Sequence, residues 1–276
     1  MRIAIYQART GIDPHGNAAD LVEAVNDSAD GGAAMLFTPE MSGLLDQDRE
    51  RAQAHLASEA EDPVLAAVRQ AAAQRGVWVH IGSLALAGER SDGRLVNRGF
   101  LIDAAGEVRA RYDKIHLFDV DLPTGESWRE SAAYAPGEQP VVAQTPAGIL
   151  GLSICYDLRF PDLYEALTGA GATILAIPAA FTVPTGEAHW HVLLRARAVE
   201  AGVFVVAAAQ TGLHEDGRRT YGHSLVVDPW GKVLLDMETE PGIGFGDLDL
   251  AQVEEVRRRI PAIRHRRPIS KPQLAP

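Results

Sequence analysis

The 276-residue chain is 46% hydrophobic, enough to fill a substantial core. A formal net charge of −11 and a pI near 5.3 exclude general affinity for nucleic acid, which needs concentrated Lys and Arg. One cysteine excludes an internal disulfide, and no run approaches the roughly 20 apolar residues of a membrane span. The opening MRIAIYQAR is too short an apolar run for a signal peptide and is broken by Gln7 and Arg9, so a reducing cytoplasm is the expected location.

In chain order, Arg2 to Ala8 reads as a strand and Ala18 to Asp30 as a helix stopped by Gly31-Gly32. AAMLFTPE is an apolar strand ending in a carboxylate. Pro63 opens a helix that Gly76 closes, and VWVHIGSL is a further strand. NRGFLID, an AAGE turn and VRARYDK read as a hairpin, which makes the sheet mixed. Leu117 to Gln139 is a long loop of the kind that carries function.

LGLSI is a strand that exits at Cys155, and Pro161 starts the next helix. ATILAIP, a helix from Glu187 to Ala201, VFVVAAA, and two strands around a Pro-Trp-Gly turn follow. GIGFG at Gly242 reads as a turn, and Val253 to Arg259 as the last helix. Short apolar runs alternating with amphipathic stretches give an α/β layer fold, and with no linker or repeat the expectation is a single domain over 1–276.

Glu40, Lys114 and Cys155 each end a strand, and reactive groups from distant segments gather at the carboxyl ends of strands in α/β sheets. The chemistry fits these residue types. A free thiol is only a few per cent thiolate at neutral pH and needs a base or a positive field to attack well. Glu40 is the candidate base and later proton donor to a leaving amine; Lys114 is the candidate stabiliser of the thiolate and of an oxyanion, with the Tyr156 N–H as second donor. Taken singly, each has a plainer reading: Cys155 as inert packing, Glu40 as a cap, Lys114 as a solvated strand end.

FTPEMSG, RYDKIHLFDVDLP and LSICYDLRFPDLYEAL resemble, in order, the three signature segments of the nitrilase superfamily of carbon–nitrogen hydrolases. The resemblance implies a four-layer α-β-β-α sandwich with mixed sheets, Glu40 as base, Lys114 as oxyanion stabiliser and Cys155 as nucleophile. It also implies that Glu130, in RESAAYAPG, positions the lysine and substrate. PAAFTVPTGEAHWHVLLRARAVEAGVFVVAAAQTG and YGHSLVVDPWGKV look like the branch acting on deaminated glutathione, close to the omega-amidase branch. One departure stands out: His191 occupies the place after AHW where the family usually carries a glutamate. The resemblance further implies at least a homodimer, with a tail from about 257 at the subunit interface.

The substrate expected on this reading is a small carboxylate-bearing amide, so a cation should line the pocket, and Arg159 and Arg195 are the candidates. Phe118 and Phe181 are candidates for apolar walls, and Tyr156, His189 and Trp190 for the rim. No cofactor is expected.

Competing motifs are weaker. GLSIC lacks the second glycine of a nucleophile elbow, and Ser153 lies two residues inside the strand. His189 and His191, two apart on a helix, do not share a face, and no zinc-ligand spacing is present, so no metal site is expected. His116 reads as a hydrogen-bonded support to the site. RRRIPAIRHRRP has no aromatic platform for nucleic acid and reads as a surface or subunit-contact tail.

Overall fold

The computed structural model describes residues 1–88, 90–122 and 125–274. The first half forms β1 (Arg2–Gln7), α1 (Pro14–Asp30), β2 (Met35–Phe37), α2 (Arg49–Gln53), α3 (Pro63–Arg75), β3 (Trp78–Leu86), β4 (Val96–Ile102) and β5 (Val108–Asp113). A small hairpin of β6 (Asp119–Asp121) and β7 (Ser127–Arg129) follows. The second half forms β8 (Val141–Thr145), β9 (Gly148–Leu152), α4 (Pro161–Gly169), β10 (Ile174–Ala176), α5 (Val183–Ala201) and β11 (Phe204–Ala207). It closes with the hairpin of β12 (Thr211–Leu213) and β13 (Arg219–Tyr221), then β14 (Leu225–Val227), β15 (Val233–Asp236), β16 (Gly242–Asp247), α6 (Ala251–Arg259) and α7 (Ala262–His265).

Two six-stranded sheets result, ordered β16-β1-β2-β3-β4-β5 and β15-β14-β11-β10-β9-β8. The centre of each is parallel and the flanks antiparallel, so both are mixed. Side-chain alternation sorts the layers. In β1, Ile3 and Ile5 face the second sheet while Ala4 faces the helices α1 and α3; in β2, Met35 and Phe37 face inward and Leu36 outward. Leu163 and Leu167 of α4 and Leu194 and Ala198 of α5 cover the second sheet. Helix, sheet, sheet and helix stack as the α-β-β-α sandwich, each fully buried aliphatic side chain contributing ~1.5–3 kcal/mol.

Helix boundaries follow capping chemistry. Asp62 accepts from Leu65 N and Gly76 ends α3 in the left-handed region, as Pro63 and Gly76 indicate. α1 begins at Pro14 rather than Ala18, because Asp13 accepts from His15 N and Gly16 N and proline suits the first turn. α5 likewise starts at Val183, ahead of Glu187, with proline in its first turn.

Two expectations are corrected. The Leu117–Gln139 stretch is not featureless: it holds the β6–β7 hairpin and a 3-10 turn, Glu130–Ala132, while Pro123 and Thr124 lie outside the described residues. GIGFG is not a turn but the start of β16, pairing with β1 from Arg2↔Asp247 to Gln7↔Gly242. Its glycines mislead because strands rarely use them; here they allow close approach, since a Cβ on Gly244 would lie 2.7 Å from Met237 Sδ.

Gly82 matters most for the site. It sits at a register shift in β3, and a Cβ there would lie 2.3 Å from Thr38 O, 2.4 Å from Pro178 Cβ and 2.5 Å from Pro39 O. The Thr38–Ser42 segment is laced to this bulge: Thr38 Oγ1 accepts from Gly82 N at 3.2 Å, and Ser42 N donates to Ser83 O at 2.9 Å. Gly82→Ala must therefore push the Thr38–Pro39 backbone that leads directly into Glu40. The expected outcome is a loss of about 1–3 kcal/mol in urea unfolding together with reduced activity; unchanged unfolding and activity would show that the contact is not needed.

Candidate active site

Glu40 follows β2, Lys114 follows β5 and Cys155 follows β9, so the layered fold delivers all three at carboxyl ends of strands. Glu130 comes from the 3-10 turn after the β6–β7 hairpin. Lys114 Nζ lies 2.8 Å from Glu40 Oε1 and 2.9 Å from Glu130 Oε2, forming a clamp between two carboxylates. Ala180 N donates to Glu40 Oε2 at 3.0 Å, and Phe118 N to Glu130 Oε2 at 2.7 Å. Asn97 Nδ2 reaches both carboxylates, at 3.0 Å to Glu40 and 3.2 Å to Glu130.

Burial decides the protonation states. Glu40, Lys114 and Cys155 are 4%, 2% and 7% exposed. Burial opposes the Glu40 anion, yet Lys114, the Cys155 thiol and Asn97 hold its pKa below the ordinary carboxylate value. Burial also opposes the Lys114 cation, but Glu130 and Glu40 outweigh it and raise its pKa well above the ordinary value. Cys155 is pushed well above the ordinary thiol value by burial and by Glu40, with Lys114 only partly opposing them. The resting site is thus carboxylate, ammonium and neutral thiol. Lys114 favours the thiolate, but burial and Glu40 outweigh it, so the thiolate forms only as its proton leaves.

Cys155 is one of few non-glycine residues in the left-handed region, at φ 51. It opens the 3-10 turn Cys155–Arg159, and its N–H donates to Pro178 O at 2.8 Å. Asp157, fully buried, holds that turn: it accepts from Ile154 N at 2.8 Å, Tyr112 OH at 2.7 Å and His116 N at 3.0 Å. His116 Nδ1 lies 2.7 Å from Asp157, so His116 is a supporting residue as expected. Ser153 lies buried just past the end of β9, donating to Ala176 O and accepting from Tyr164 OH, and is not placed to act as a nucleophile.

These groups open onto a cavity of about 520 Å³. Phe118, Tyr156, Arg159 and Phe181 line it, as the sequence suggested. Arg159 lies 5.7 Å over the Phe181 ring, and its Nη2 is 3.2 Å from His189 Nδ1, so exposed His189 braces Arg159 instead of lining the cavity. Two further expectations fail. Trp190 is 1% exposed and packs behind Phe181 with ring centroids 4.7 Å apart, because its position on α5 faces the core. Arg195 is away from the cavity, its Nε donating to Gly231 O at 2.8 Å.

Other lining residues were not anticipated, notably Arg218 and Trp128. Arg218 pairs with Asp216 at 3.1 Å and lies 5.0 Å over the Trp128 ring. Arg218 Nε and Trp128 Nε1 are buried donors with no hydrogen-bond partner among the described residues. Asn97 was also missed, although a polar residue inside the apolar strand VNRGFLI is itself a signal.

Known proteins resemble this chain in sequence and fold. The family model described as carbon-nitrogen hydrolase matches residues 2–258. A protein of Yersinia enterocolitica named deaminated glutathione amidase is 38% identical over 97% of this chain and 93% of its own length. The NitFhit protein of C. elegans superposes with a TM-score of 0.88 at 35% identity, covering 96% of this chain; the chain spans 65% of that longer protein. An amidase from Nesterenkonia sp. AN1, captured after Michael addition of acrylamide at its active-site cysteine, superposes with a TM-score of 0.78 at 30% identity over 94% of this chain and 98% of that one. With a buried Cys, Glu and Lys meeting at strand ends of an α-β-β-α sandwich, the chain belongs to the carbon–nitrogen hydrolase family of the nitrilase superfamily.

Proposed function

We propose that the chain is an amidase that hydrolyses deaminated glutathione to 2-oxoglutarate and cysteinylglycine through a thioester on Cys155. The observation that carries the reaction is the buried Glu40–Lys114–Glu130 clamp beside a neutral thiol. Cys155 Sγ attacks the amide carbonyl carbon while its proton passes to Glu40. The Lys114 ammonium and the Tyr156 N–H hold the oxyanion. The C–N bond then breaks, and Glu40 returns the proton to the departing amine. Water attacks the thioester and gives its proton to Glu40; the C–S bond breaks, and sulfur recovers that proton as the acid leaves. Glu130 anchors Lys114. These side chains and water handle every proton and electron pair, so the reaction calls for no cofactor.

The substrate class rests on the cavity and on the relatives. Deaminated glutathione carries carboxylates, and the wall offers Arg159, which has no carboxylate partner among the described residues, and the unpaired Arg218 Nε beside Trp128 Nε1. A buried donor left unpaired costs about 1–3 kcal/mol, so a substrate acceptor that reached it would be held firmly. The Yersinia relative's name points to the same substrate.

We further infer one carbon–nitrogen hydrolase domain over 1–276, a homodimer with the tail from about 257 at the subunit interface, and a cytoplasmic setting. Exposed Val192, Val199, Trp230 and Ile269 support a surface that another copy covers. Within the chain, Arg257 and Arg266 are already used: Arg257 donates to Ala201 O and Ala172 O, and Arg266 to Glu165 O. Among the described residues no helix is long and apolar enough to cross a membrane.

A panel of deaminated glutathione, 2-oxoglutaramate, a simple nitrile and an N-carbamoyl amino acid tests the substrate. The kcat/KM for deaminated glutathione should exceed that for 2-oxoglutaramate by at least about tenfold, roughly 1.4 kcal/mol, through the contacts of its longer leaving group. A ratio near one or below moves the chain to the omega-amidase reading, and preference for the last two compounds to a nitrilase or carbamoyl hydrolase. On the best substrate, Cys155→Ala should abolish turnover and Glu40→Gln lower it by at least about 10²-fold; near-normal turnover in Cys155→Ala would overturn the mechanism.

The protonation states also set the pH profile. Glu40 is needed as the anion and titrates below its ordinary value, so the acid limb falls below about pH 4.5; Lys114 and Cys155 titrate above theirs. The kcat/KM should be flat from about pH 5.5 to about 8.5. A limb with an apparent pKa between about 6 and 7.5 would contradict the assignment of base and nucleophile.

A further inference from the structure

The strongest group of metal-ligating side chains outside the cavity comes from three separate elements. His191 lies on α5, His223 on the connection from β13 to β14, and Asp236 at the end of β15. The donor atoms of all three lie within 4.8 Å of one another. His191 Nε2 is 3.0 Å from Asp236 Oδ2, and His223 Nδ1 is 2.9 Å from Asp236 Oδ1. No motif spacing announces them, since sheet pairing and helix packing alone bring them together.

We propose that His191, His223 and Asp236 form a binding site for one divalent first-row transition ion, zinc being the representative. Two imidazole nitrogens and a carboxylate suit zinc, cobalt and nickel better than magnesium or calcium, which prefer oxygen. Around a tetrahedral zinc with bonds of about 2.0–2.1 Å, donor atoms sit about 3.3 Å apart, close to the two His–Asp separations already present. The imidazole nitrogens, within 4.8 Å of each other, then need to close by at most about 1.5 Å, and water completes the coordination.

The surroundings favour a built site. The rings are fixed: His223 stacks on Tyr221 with centroids 4.4 Å apart, and its carbonyl accepts from Trp190 Nε1 at 2.7 Å. The His223 backbone is held at φ 54, a left-handed conformation unusual outside glycine. Glu238 N donates to Asp236 Oδ1 at 2.9 Å, orienting the carboxylate. Side-chain exposures of 37%, 20% and 30% for His191, His223 and Asp236 leave an open path from solvent.

Proton balance is also favourable. Each imidazole can present a bare nitrogen to the ion by moving its proton to the other ring nitrogen, His191 Nδ1 or His223 Nε2. Neither of those makes a protein hydrogen bond among the described residues, so solvent can take up the N–H. A bound ion would tie α5 to the loop before β14. It would also stiffen Trp190, which backs Phe181 at the cavity wall.

The competing reading is a carboxylate held by two imidazole N–H groups with no affinity for metal. The test uses the full chain without an affinity tag, in a Cys155→Ala background so that the thiol cannot bind the ion. Zinc sulfate by equilibrium dialysis should bind one ion per chain with a Kd of about 1 µM or tighter, and raise the unfolding temperature by mass action. Cobalt chloride should give the intense visible bands of a four-coordinate ion and a paramagnetic shift of the Trp190 indole N–H, a readout that needs no variant at the site. His191→Gln and Asp236→Asn should each weaken zinc binding at least about tenfold while circular dichroism stays unchanged. Absence of saturable zinc binding, an unshifted Trp190 resonance, or unweakened binding in folded His191→Gln would each overturn the proposal.

Discussion

The site depends on one buried ammonium. Lys114, almost wholly removed from water, is held between Glu40 and Glu130 at hydrogen-bonding distance. Without it two carboxylates would face each other in a low-dielectric interior, and breaking a buried pair by deleting one partner costs about 3–5 kcal/mol. With it, Glu40 stays ionised beside a protonated thiol, which is the arrangement a base needs before it takes a proton. The same cation is then positioned to receive the negative charge that develops on a substrate oxygen. Electrostatic balance and catalysis therefore draw on a single interaction.

The fold supplies that interaction by geometry of strand ends. Two sheets packed face to face bring the ends of β2, β5 and β9 together. The residues that fix the angles are less conspicuous. Asp157 gathers Ile154 N, Tyr112 OH and His116 around the nucleophile turn, and holds Cys155 in its left-handed conformation. Gly82 lets the Glu40 segment lie directly against the β3 bulge. Gln210 Nε2 donates to Glu40 O at 2.9 Å, tying the same segment to the end of the second sheet.

Much of this was legible in the sequence because each reactive residue ends a strand pattern: apolar runs before Glu40 and Cys155, and the alternating VRARYD before Lys114. Glu40, Lys114 and Cys155 could be picked out on that ground; Glu130, in an irregular segment, came only through resemblance to a family. What failed did so for physical reasons. Arg195 and Trp190 sit on α5, and which helix face meets the cavity depends on what packs against it. GIGFG reads as a turn because glycine is rare in strands, although pairing with β1 and the close approach of Gly244 to Met237 override that preference. Asn97, Arg218 and the His191, His223 and Asp236 group are brought in by tertiary pairing, which no local spacing encodes.

The most direct measurement of the central claim is the ultraviolet absorbance of the Cys155 thiolate as a function of pH, taken as the difference between the chain and its Cys155→Ser variant. Cys155 is the only cysteine in the sequence, so the difference reports one group. With Glu40 ionised next to it and burial against it, no thiolate should appear below about pH 8.5. A thiolate titrating at or below about pH 7 would mean that Lys114, not Glu40, sets the state of the sulfur, and would contradict the account.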